Sequence, residues 1–496
     1  MKKPMAKKVI AAISAAAMAM SATACGAQTT EAPAEAPAET TETTEAPAET
    51  TETAEAETTE AEAEVVEEEV SPYTVITDDA GNPIDLGGME IIVRDWWSPQ
   101  EPAEPTNDYE EARDEYRAWI QETYNFTIKQ VAISDWGTAP QDFVDYVTTG
   151  GDDNNYVFVL RNDPAIVSGM ANGLMYDLST LDCLDFTQDK WMMNLCHEQY
   201  SYNCAYAGPS EARTGVFFNK RLLTEAGIDP ETLYDMQADG SWTWEKFEEL
   251  MAQCHRDTDN DGVVDVYGLT LNESVMTDQA VFSNGGSYVG KDADGNYTYN
   301  LEAPETLEAL EWCVDMYTQF DNHDPEGAAW DYYKEEFVNG KAAFMVEQEY
   351  AGVPGGFLEG MEDEVGFVMF PKGPQMDDYI NVWENNPHAI PSCYDADRAW
   401  KIAFAWNLFT EDPAGYEGYN GYLSTARAGI YDSRAVDETI TMMSEPAHGT
   451  VAYHGLIPNL ATGEQLTWNI VANAVVSELV EAIGATWQAY IDEANA

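Results

Sequence analysis

The feature that most restricts the fold is an alternation of short apolar runs with helical patterns, which begins near residue 89. Residues 89–93, 126–131 and 156–160 are apolar runs of strand length. Between them, residues 109–120 and 141–149 carry apolar side chains at helical spacing. Strands separated by helices of this length are typical of parallel pairing, so we predict an α/β fold.

A second set of the same patterns starts at residues 215–218. Thr243 is placed to cap a helix whose apolar face includes Cys254, and residues 307–317 predict another helix with Cys313 on its apolar stripe. Residues 471–487 predict one long helix near the C-terminus. We therefore expect two lobes of sheet and helix, although 496 residues would accommodate about three domains.

The first 70 residues have a different character. Four lysines precede an apolar run at 9–20, and small residues then lead to Cys25, a pattern that indicates a secretory signal too short for a membrane span. Residues 26–70 are almost wholly Ala, Glu, Thr and Pro, with fifteen glutamates and no Lys, Arg or aromatic residue. Such a segment cannot bury enough apolar surface to fold, so we predict an extended acidic tether.

The charge excludes several classes of partner. The formal charge is −67, and without the four leader lysines and the fifteen tether glutamates residues 71–496 keep −56. A surface of this sign repels phosphate backbones and anionic lipid, so we expect no nucleic-acid partner and no membrane contact beyond an anchor. A phosphorylated ligand is disfavoured for the same reason, whereas neutral sugars or cationic solutes are favoured.

One acidic segment matches the first nine positions of a calcium-binding loop. Carboxylates at alternate positions can converge on one cation, Gly262 allows the turn, and one backbone carbonyl completes the pattern. The candidate metal ligands are Asp257, Asp259, Asp261, Val263 and Asp265. Gly268 stands where a bidentate glutamate is usual, so an acidic turn stabilised by side-chain-to-backbone bonds is the alternative. We expect a structural calcium and no catalytic cofactor.

An ordered series of segments resembles the family 1 extracellular solute-binding proteins, the ligand receptors of ABC importers, of which maltose-binding protein is typical. The segments are residues 214–220, 226–230, 241–245, 284–286, 337–344, 365–374 and 389–391. The residues before Cys25 also resemble a bacterial lipobox, with Ala22 at the position where leucine is usual. This resemblance implies a signal peptide over 1–24, a lipid on Cys25 and a tether over 25–70.

The family fold implies two lobes of the type II periplasmic-binding-protein kind, joined by crossing segments, with the ligand in the cleft between them. By this resemblance the first lobe comprises 88–205 plus 365–425, and the second comprises 206–364 plus 426–496. Ligands of open α/β sheets lie outside the carboxyl ends of the strands, and hinge closure then buries them.

The strand ends supply the candidate ligand-binding residues. Flat aromatic rings beside carboxylates, amides and arginine suit a sugar, because the rings cover C–H patches while polar groups hold the hydroxyls. The candidates are Arg94, Asp95, Trp96, Trp97, Asp135, Trp136, Arg161, Asn162, Asn284, Trp330, Glu347, Tyr350 and Trp383. Packing within a lobe is the alternative for each tryptophan, and a salt bridge is the alternative for Arg161 and Glu347.

Together these features predict a monomeric, lipid-anchored protein on the extracellular face of a bacterial membrane. We expect it to capture a mono- or oligosaccharide and deliver it to the membrane permease of an ABC importer, without catalysis. A hydrolase is disfavoured because the sequence has no Gly-x-Ser-x-Gly elbow, and His197-Glu198 lacks the second histidine of a zinc motif. A sensory or adhesive lipoprotein, or a receptor for a non-sugar solute such as a peptide, remain alternatives.

Overall fold

The computed structural model describes residues 71–101, 104–161, 165, 169, 172–188, 211–321, 327–384 and 386–496. Within these residues, two four-stranded sheets form the centres of two lobes, as the α/β pattern predicts. The predicted signal peptide, Cys25 and the acidic tether lie outside the described residues.

The first sheet contains β1 (Met89–Asp95), β2 (Phe126–Ala132), β3 (Asn155–Val159) and β12 (His388–Ala389). Its strand order is β12–β3–β1–β2. β1 pairs in parallel with β2 and β3, which confirms the predicted pairing, and β12 runs antiparallel to β3. Two helices make the crossovers, α1 (Asp108–Tyr124) and α2 (Ala139–Thr148).

The core of the first lobe forms because alternate residues of β1 point to the same face of the sheet. Ile91 and Val93 are buried there against Ile120 of α1 and against Phe404 and Trp406 of α9 (Ala396–Phe409). A chain segment from much later in the sequence therefore completes this lobe.

The second sheet contains β5 (Thr214–Asn219), β6 (Tyr267–Leu271), β9 (Ala342–Gln348) and β10 (Val365–Met369). Its strand order is β10–β5–β9–β6. β6 and β9 are parallel, but β5 runs antiparallel to both β9 and β10, so the sheet is mixed and does not repeat the first.

Helices cover the second sheet on both faces. They are α3 (Lys220–Glu225), α4 (Thr232–Asp239), α5 (Trp244–Cys254), α6 (Glu273–Ser283), α7 (Pro304–Phe320) and α8 (Tyr332–Val338). The Thr243 side chain accepts a hydrogen bond from the Lys246 amide at 3.4 Å, which confirms the predicted cap of α5. Cys254 and Cys313 are fully buried, as predicted from their helical stripes.

Two small sheets complete the strand inventory of the described residues. β4 (Glu211–Ala212), β11 (Asn381–Glu384) and β13 (Gly449–Thr450) form one, and β7 (Val289–Lys291) and β8 (Tyr297–Tyr299) form the other. Short 3₁₀ turns lie at Leu178–Thr180, Glu349–Ala351, Pro446–His448 and His454–Leu456, and π turns lie at Ala435–Ile440 and Gly463–Thr467.

The C-terminal region differs from its prediction. It contains α10 (Gly421–Gly429), α11 (Thr441–Met443), α12 (Trp468–Val471) and α13 (Val476–Ala494), so the predicted helix 471–487 is divided. Asn473 has a left-handed backbone with φ of 62°, which ends α12, and Val475 precedes α13 as an exposed residue. The apolar spacing continues across a break that only backbone conformation reveals.

Two segments that were predicted in the first lobe belong to the second lobe in the structure. β10 lies in 365–425, which was expected in the first lobe, but it pairs with β5 in the second sheet. Tyr422 and Leu423 of α10, also within 365–425, pack against the core of the second sheet. The return to the first sheet therefore begins near β12, which is the strand after β10 that pairs with β3.

Among the described residues, no helix combines the length and the apolar character that crossing a bilayer requires.

Candidate functional site

A short crossing segment brings the carboxyl end of β9 in the second sheet close to that of β3 in the first. Gln348, the last residue of β9, donates from Nε2 to Glu384 Oε1 at 2.8 Å. Three residues later, the Pro387 carbonyl accepts from the amide of Leu160, which directly follows β3, at 2.9 Å. Because three residues span at most about 10 Å, the carboxyl ends of β9 and β3 lie on either side of one short connection. We call these two ends of the sheets the edges.

In the first lobe, Asp95 shapes the loop after β1. Its carboxylate is fully buried and accepts from the Ser98 amide at 3.1 Å and from Gln130 Nε2 at 2.8 Å. Arg94 is also occupied, since Nη2 donates to Ser134 Oγ at 2.7 Å and its guanidinium packs over Phe158. These two predicted ligand residues therefore hold the loops in place.

The loops held in this way present large aromatic side chains to solvent. Trp97 is 52% exposed and meets the half-buried Trp96 edge to face, with ring centres 4.8 Å apart. Trp136 is 62% exposed, and Asp135 beside it is exposed as well. Exposed rings of this size at the ends of buried strands make these two loops candidates for a binding surface.

Arg161 connects the end of β3 with the loop after β2. Its Nε donates to the Trp136 carbonyl oxygen at 2.8 Å, and its guanidinium carbon lies 4.1 Å from the centre of the Trp136 ring. This stacking fixes one face of the ring. Asn162, which was predicted with it, lies outside the described residues.

In the second lobe, Glu347 is the polar centre of the edge. Its buried carboxylate accepts a hydrogen bond from the Tyr333 hydroxyl and another from Asn272 Nδ2 at 3.3 Å. Burial raises the pKa of Glu347, although these donors and the nearby Lys334 act in the opposite direction. A salt bridge was the alternative for Glu347, but among the described residues this carboxylate is held by hydrogen bonds and by no ion pair.

Two aromatic residues lie beside this polar centre. Trp330, which is 77% exposed, precedes α8, and the ammonium of Lys334 lies 5.2 Å from the centre of its ring. Tyr350 follows β9 and is partly exposed, and the pKa of its hydroxyl is raised by burial and by the charge of Glu347.

Two further predicted ligand residues are buried in structural positions. Asn284 is fully buried, donates to the Glu305 carbonyl at 2.9 Å and accepts from the Gln375 amide at 3.2 Å. Trp383 is also buried, with Gly449 packed so closely on its ring that a Cβ there would clash. The structure brings neither side chain to the solvent side of the edges.

Several polar residues at the second edge were not predicted. They are Asn272, Tyr333, Gln348, Arg213 and Glu384. Asn272 directly follows β6, so the rule of strand ends that nominated the other candidates also applies to it. Arg213, which donates to Glu349 Oε1 at 2.6 Å, and Glu384 lie on crossing segments whose positions depend on pairing between distant strands.

The predicted calcium loop brings part of its ligand set together. Oxygens of Asp257, Asp259 and Asp265 all lie within 4.8 Å of one another. Asp261 is not in this group, which corrects that part of the prediction, and its carboxylate accepts from the Val263 amide at 2.8 Å. Hydrogen bonds from Thr258 lower the pKa of Asp265, which keeps that oxygen anionic. A set of three carboxylates suits a hard divalent cation in chemical type.

The model of the family "Bacterial extracellular solute-binding protein" matches residues 123–406. Comparison with curated protein sequences gave no match.

Among solved structures, the chain resembles UgpB from Mycobacterium tuberculosis in complex with glycerophosphocholine, with a TM-score of 0.54, 18% identity, and coverage of 77% of this chain and 95% of that one. It also resembles the cyclic α-maltosyl-1,6-maltose binding protein from Arthrobacter globiformis, with a TM-score of 0.55, 16% identity, and coverage of 82% and 100%. A third is an ABC substrate-binding protein from Listeria monocytogenes in complex with cycloalternan, with a TM-score of 0.53, 15% identity, and coverage of 82% and 98%.

These structures share the two-lobe fold predicted from the alternating strands and helices. The family model covers more than half of the residues. The chain therefore belongs to the bacterial extracellular solute-binding protein family.

Proposed function

We propose that the chain is the extracellular receptor of an ABC importer and that it captures a carbohydrate by closing two lobes around it. The observation that carries this proposal is the pair of strand edges that meet at the connection between Glu384 and Pro387 and bear exposed tryptophans. A ligand lying across this connection would contact both edges at once, which favours the closed arrangement.

The chemistry of the edges supports a sugar. Trp97, Trp136 and Trp330 offer flat faces for the C–H patches of pyranose rings, which gain from leaving water. Asn272 and Tyr350, which are partly exposed, offer polar groups for hydroxyls, and the buried Glu347 carboxylate orients the Asn272 amide by accepting from its Nδ2.

Two of the structural relatives described above are named for cyclic α-maltosyl-1,6-maltose or complexed with cycloalternan, which supports an oligosaccharide ligand. The third is complexed with glycerophosphocholine, a phosphodiester. The net charge of −56 on residues 71–496 opposes a phosphate group, so we favour the uncharged sugar.

A melting-temperature screen of mono- and oligosaccharides tests the proposal. A cognate sugar at 100 times its Kd stabilises the folded state by about 2.7 kcal/mol, so the midpoint should rise. The Trp97→Ala and Trp330→Ala variants should lose most of that shift, whereas Trp400→Phe, on α9, should keep it. A shift produced only by peptides or amino acids would contradict the sugar assignment.

We also propose that Cys25 carries the lipid that anchors the receptor, with residues 25–70 as its tether to the body. Cys25→Ala should release the protein from the membrane fraction into the medium, and wild-type protein should partition into detergent. Free wild-type protein in the medium would contradict the anchor. We further propose that the receptor acts as a monomer and delivers the sugar to the permease. Growth on the identified sugar would test the delivery.

Finally, we propose that Asp257, Asp259 and Asp265 bind a structural calcium. Calcium should raise the melting temperature of protein first treated with chelator, because it binds the folded loop better than the unfolded chain. Asp257→Asn with Asp259→Asn should abolish the rise. An unchanged melt in wild-type protein would indicate an acidic turn that binds no metal.

A further inference from the structure

A concave site lies on the second lobe, between the start of α5, the helix α7 and the loop that follows β10. Its volume is about 460 Å³, which is within the range of small-molecule sites. Its lining includes the apolar side chains of Trp244, Trp312 and Met376, the carboxylates of Glu245, Glu248 and Glu308, and the ammonium-bearing Lys372. We call this site the α5–α7 groove.

The α5–α7 groove is distinct from the proposed sugar site. Phe344 and Glu347 lie an odd number of residues apart on β9, so their side chains point to opposite faces of the sheet. Glu347 contacts Tyr333 of α8, whereas Phe344 meets Phe247 of α5, with ring centres 5.3 Å apart. The groove is therefore on the α5 face, away from Glu347.

Two of its carboxylates are oriented by neutral donors. Trp312 Nε1 donates to Glu248 Oε1 at 2.6 Å. Glu308 Oε2 accepts from Asn284 Nδ2 and from Gln375 Nε2, each at 3.0 Å. These bonds fix the position of one oxygen of each carboxylate. Because the donors are neutral, each carboxylate keeps its negative charge.

Two lysines lie at or beside the groove, and Lys372 is part of its lining. Lys372 donates its ammonium to the Asp377 carbonyl at 2.8 Å, and Lys246 pairs with Glu249. Within the described ranges, no salt bridge involves Glu245, Glu248 or Glu308. The charge of Lys372 offsets one of these three carboxylates, so the groove keeps a net negative charge that a bound cation could neutralise.

The remaining lining is apolar and rigid. Trp244 and Trp312 stack with ring centres 4.2 Å apart and an interplanar angle of 10°, and both are almost completely buried. Pro374 and Met376 add apolar surface from the loop. Methylene groups of a ligand would find apolar contact here, which a hydrated metal ion could not use.

We propose that the α5–α7 groove binds an aliphatic di- or polyamine. Its ammonium groups would meet Glu245, Glu248 and Glu308, and its methylenes would lie against Met376 and the tryptophan pair. This site does not depend on the proposed sugar, since it lies on the other face of the second sheet.

Titration calorimetry with spermidine and putrescine tests this proposal on the intact protein. We expect saturable binding at one site, weaker at high salt, and not displaced by an equal charge of Mg²⁺. Glu245→Gln with Glu248→Gln should weaken binding about tenfold, from the loss of two contacts of about 0.7 kcal/mol each. The control, Glu478→Gln with Glu481→Gln, removes the same charge from exposed positions of α13 and should change little.

A second variant guards against misfolding of the first. Met376→Lys keeps every carboxylate and places a competing ammonium in the groove, so it should also weaken spermidine binding. Two outcomes would show that polyamines associate only with the general acidic surface. One is an equal loss of spermidine affinity in the α13 control, and the other is unchanged affinity in both Met376→Lys and the double glutamine variant. The sugar-induced melting shift should persist in all groove variants, which separates failure of this proposal from failure of the receptor function.

Discussion

The guanidinium of Arg161 stacks on the ring of Trp136, 4.1 Å from its centre, while Nε of the same residue bonds to the Trp136 carbonyl oxygen. One side chain thereby fixes both the backbone and the ring of an otherwise exposed tryptophan. The exposed face of Trp136 is left as a platform at the end of the first sheet.

We expect Arg161→Lys to weaken sugar binding by about twofold to fivefold, because lysine cannot hold the ring by planar stacking, a contact of about 0.5–1 kcal/mol. Trp136→Ala should weaken it further, because the platform itself is removed. Calorimetric titration with the sugar found in the melting screen measures both. Equal affinity in Trp136→Ala and wild type would remove Trp136 from the site.

Glu347 should make the stability of the protein depend on pH. Its pKa in the folded state is raised above the ordinary value of 4.5, mainly by burial. Ionisation is therefore disfavoured by folding, so the stability present below pH 4.5 is lost as the pH rises through the folded-state pKa.

Glu347→Gln removes this ionisation while keeping a hydrogen-bond acceptor for Tyr333. The free energy of unfolding of the variant minus that of wild type should be more positive at about pH 7 than at about pH 4. Urea unfolding at each pH measures this difference. Glu478→Gln, at an exposed position, is the control. A difference between Glu347→Gln and wild type that is constant across pH would contradict a raised pKa.

Leu456 joins the C-terminal region to the first lobe. It is fully buried in a cluster with Phe143 of α2 and Phe158 of β3, while His454 nearby lies 3.4 Å from Asp278 of α6. Leu456→Ala should lower the free energy of unfolding by about 2–5 kcal/mol, because it leaves a cavity in that cluster. Urea unfolding followed by tryptophan emission measures the loss, and a loss below about 1 kcal/mol would mean that the cluster collapses around the cavity.

Gly366 of β10 lies opposite Phe218 of β5. A Cβ at this position would approach the Phe218 ring to 2.0 Å, so Gly366→Ala should destabilise the second lobe by about 1–3 kcal/mol. Gly421→Ala, where a Cβ would meet no atom within 4 Å, is the matched control. Equal melting temperatures of the two variants would contradict the close packing of β10 on β5.

The sequence predicted elements and strand ends well because both depend on local patterns. Period-two and helical spacing identified β1 to β3 and their crossover helices, and the residues that follow β1, β2 and β9 reach the two edges. The sequence could not predict the burial of residues whose neighbours come from distant parts of the chain. Trp383 is covered by Gly449, and Asn284 is enclosed by the loop at Gln375.

Strand order and direction were hidden for the same reason. The apolar run of β5 looks the same whether its neighbours are parallel or antiparallel, so the mixed pairing of the second sheet appeared only in the structure. The division of the C-terminal helix was hidden too, because the left-handed backbone of Asn473 separates α12 from α13 and apolar spacing carries no signal for it.

The three-residue step from Glu384 to Pro387 has a thermodynamic consequence. Two surfaces joined by so short a link have a high effective concentration for one another. Folding has therefore already lost most of the entropy that bringing them together would otherwise cost on ligand binding. Contact energy between a ligand and the second surface then contributes almost entirely to affinity. Lengthening this link with flexible residues should weaken ligand binding without altering a single contacting side chain.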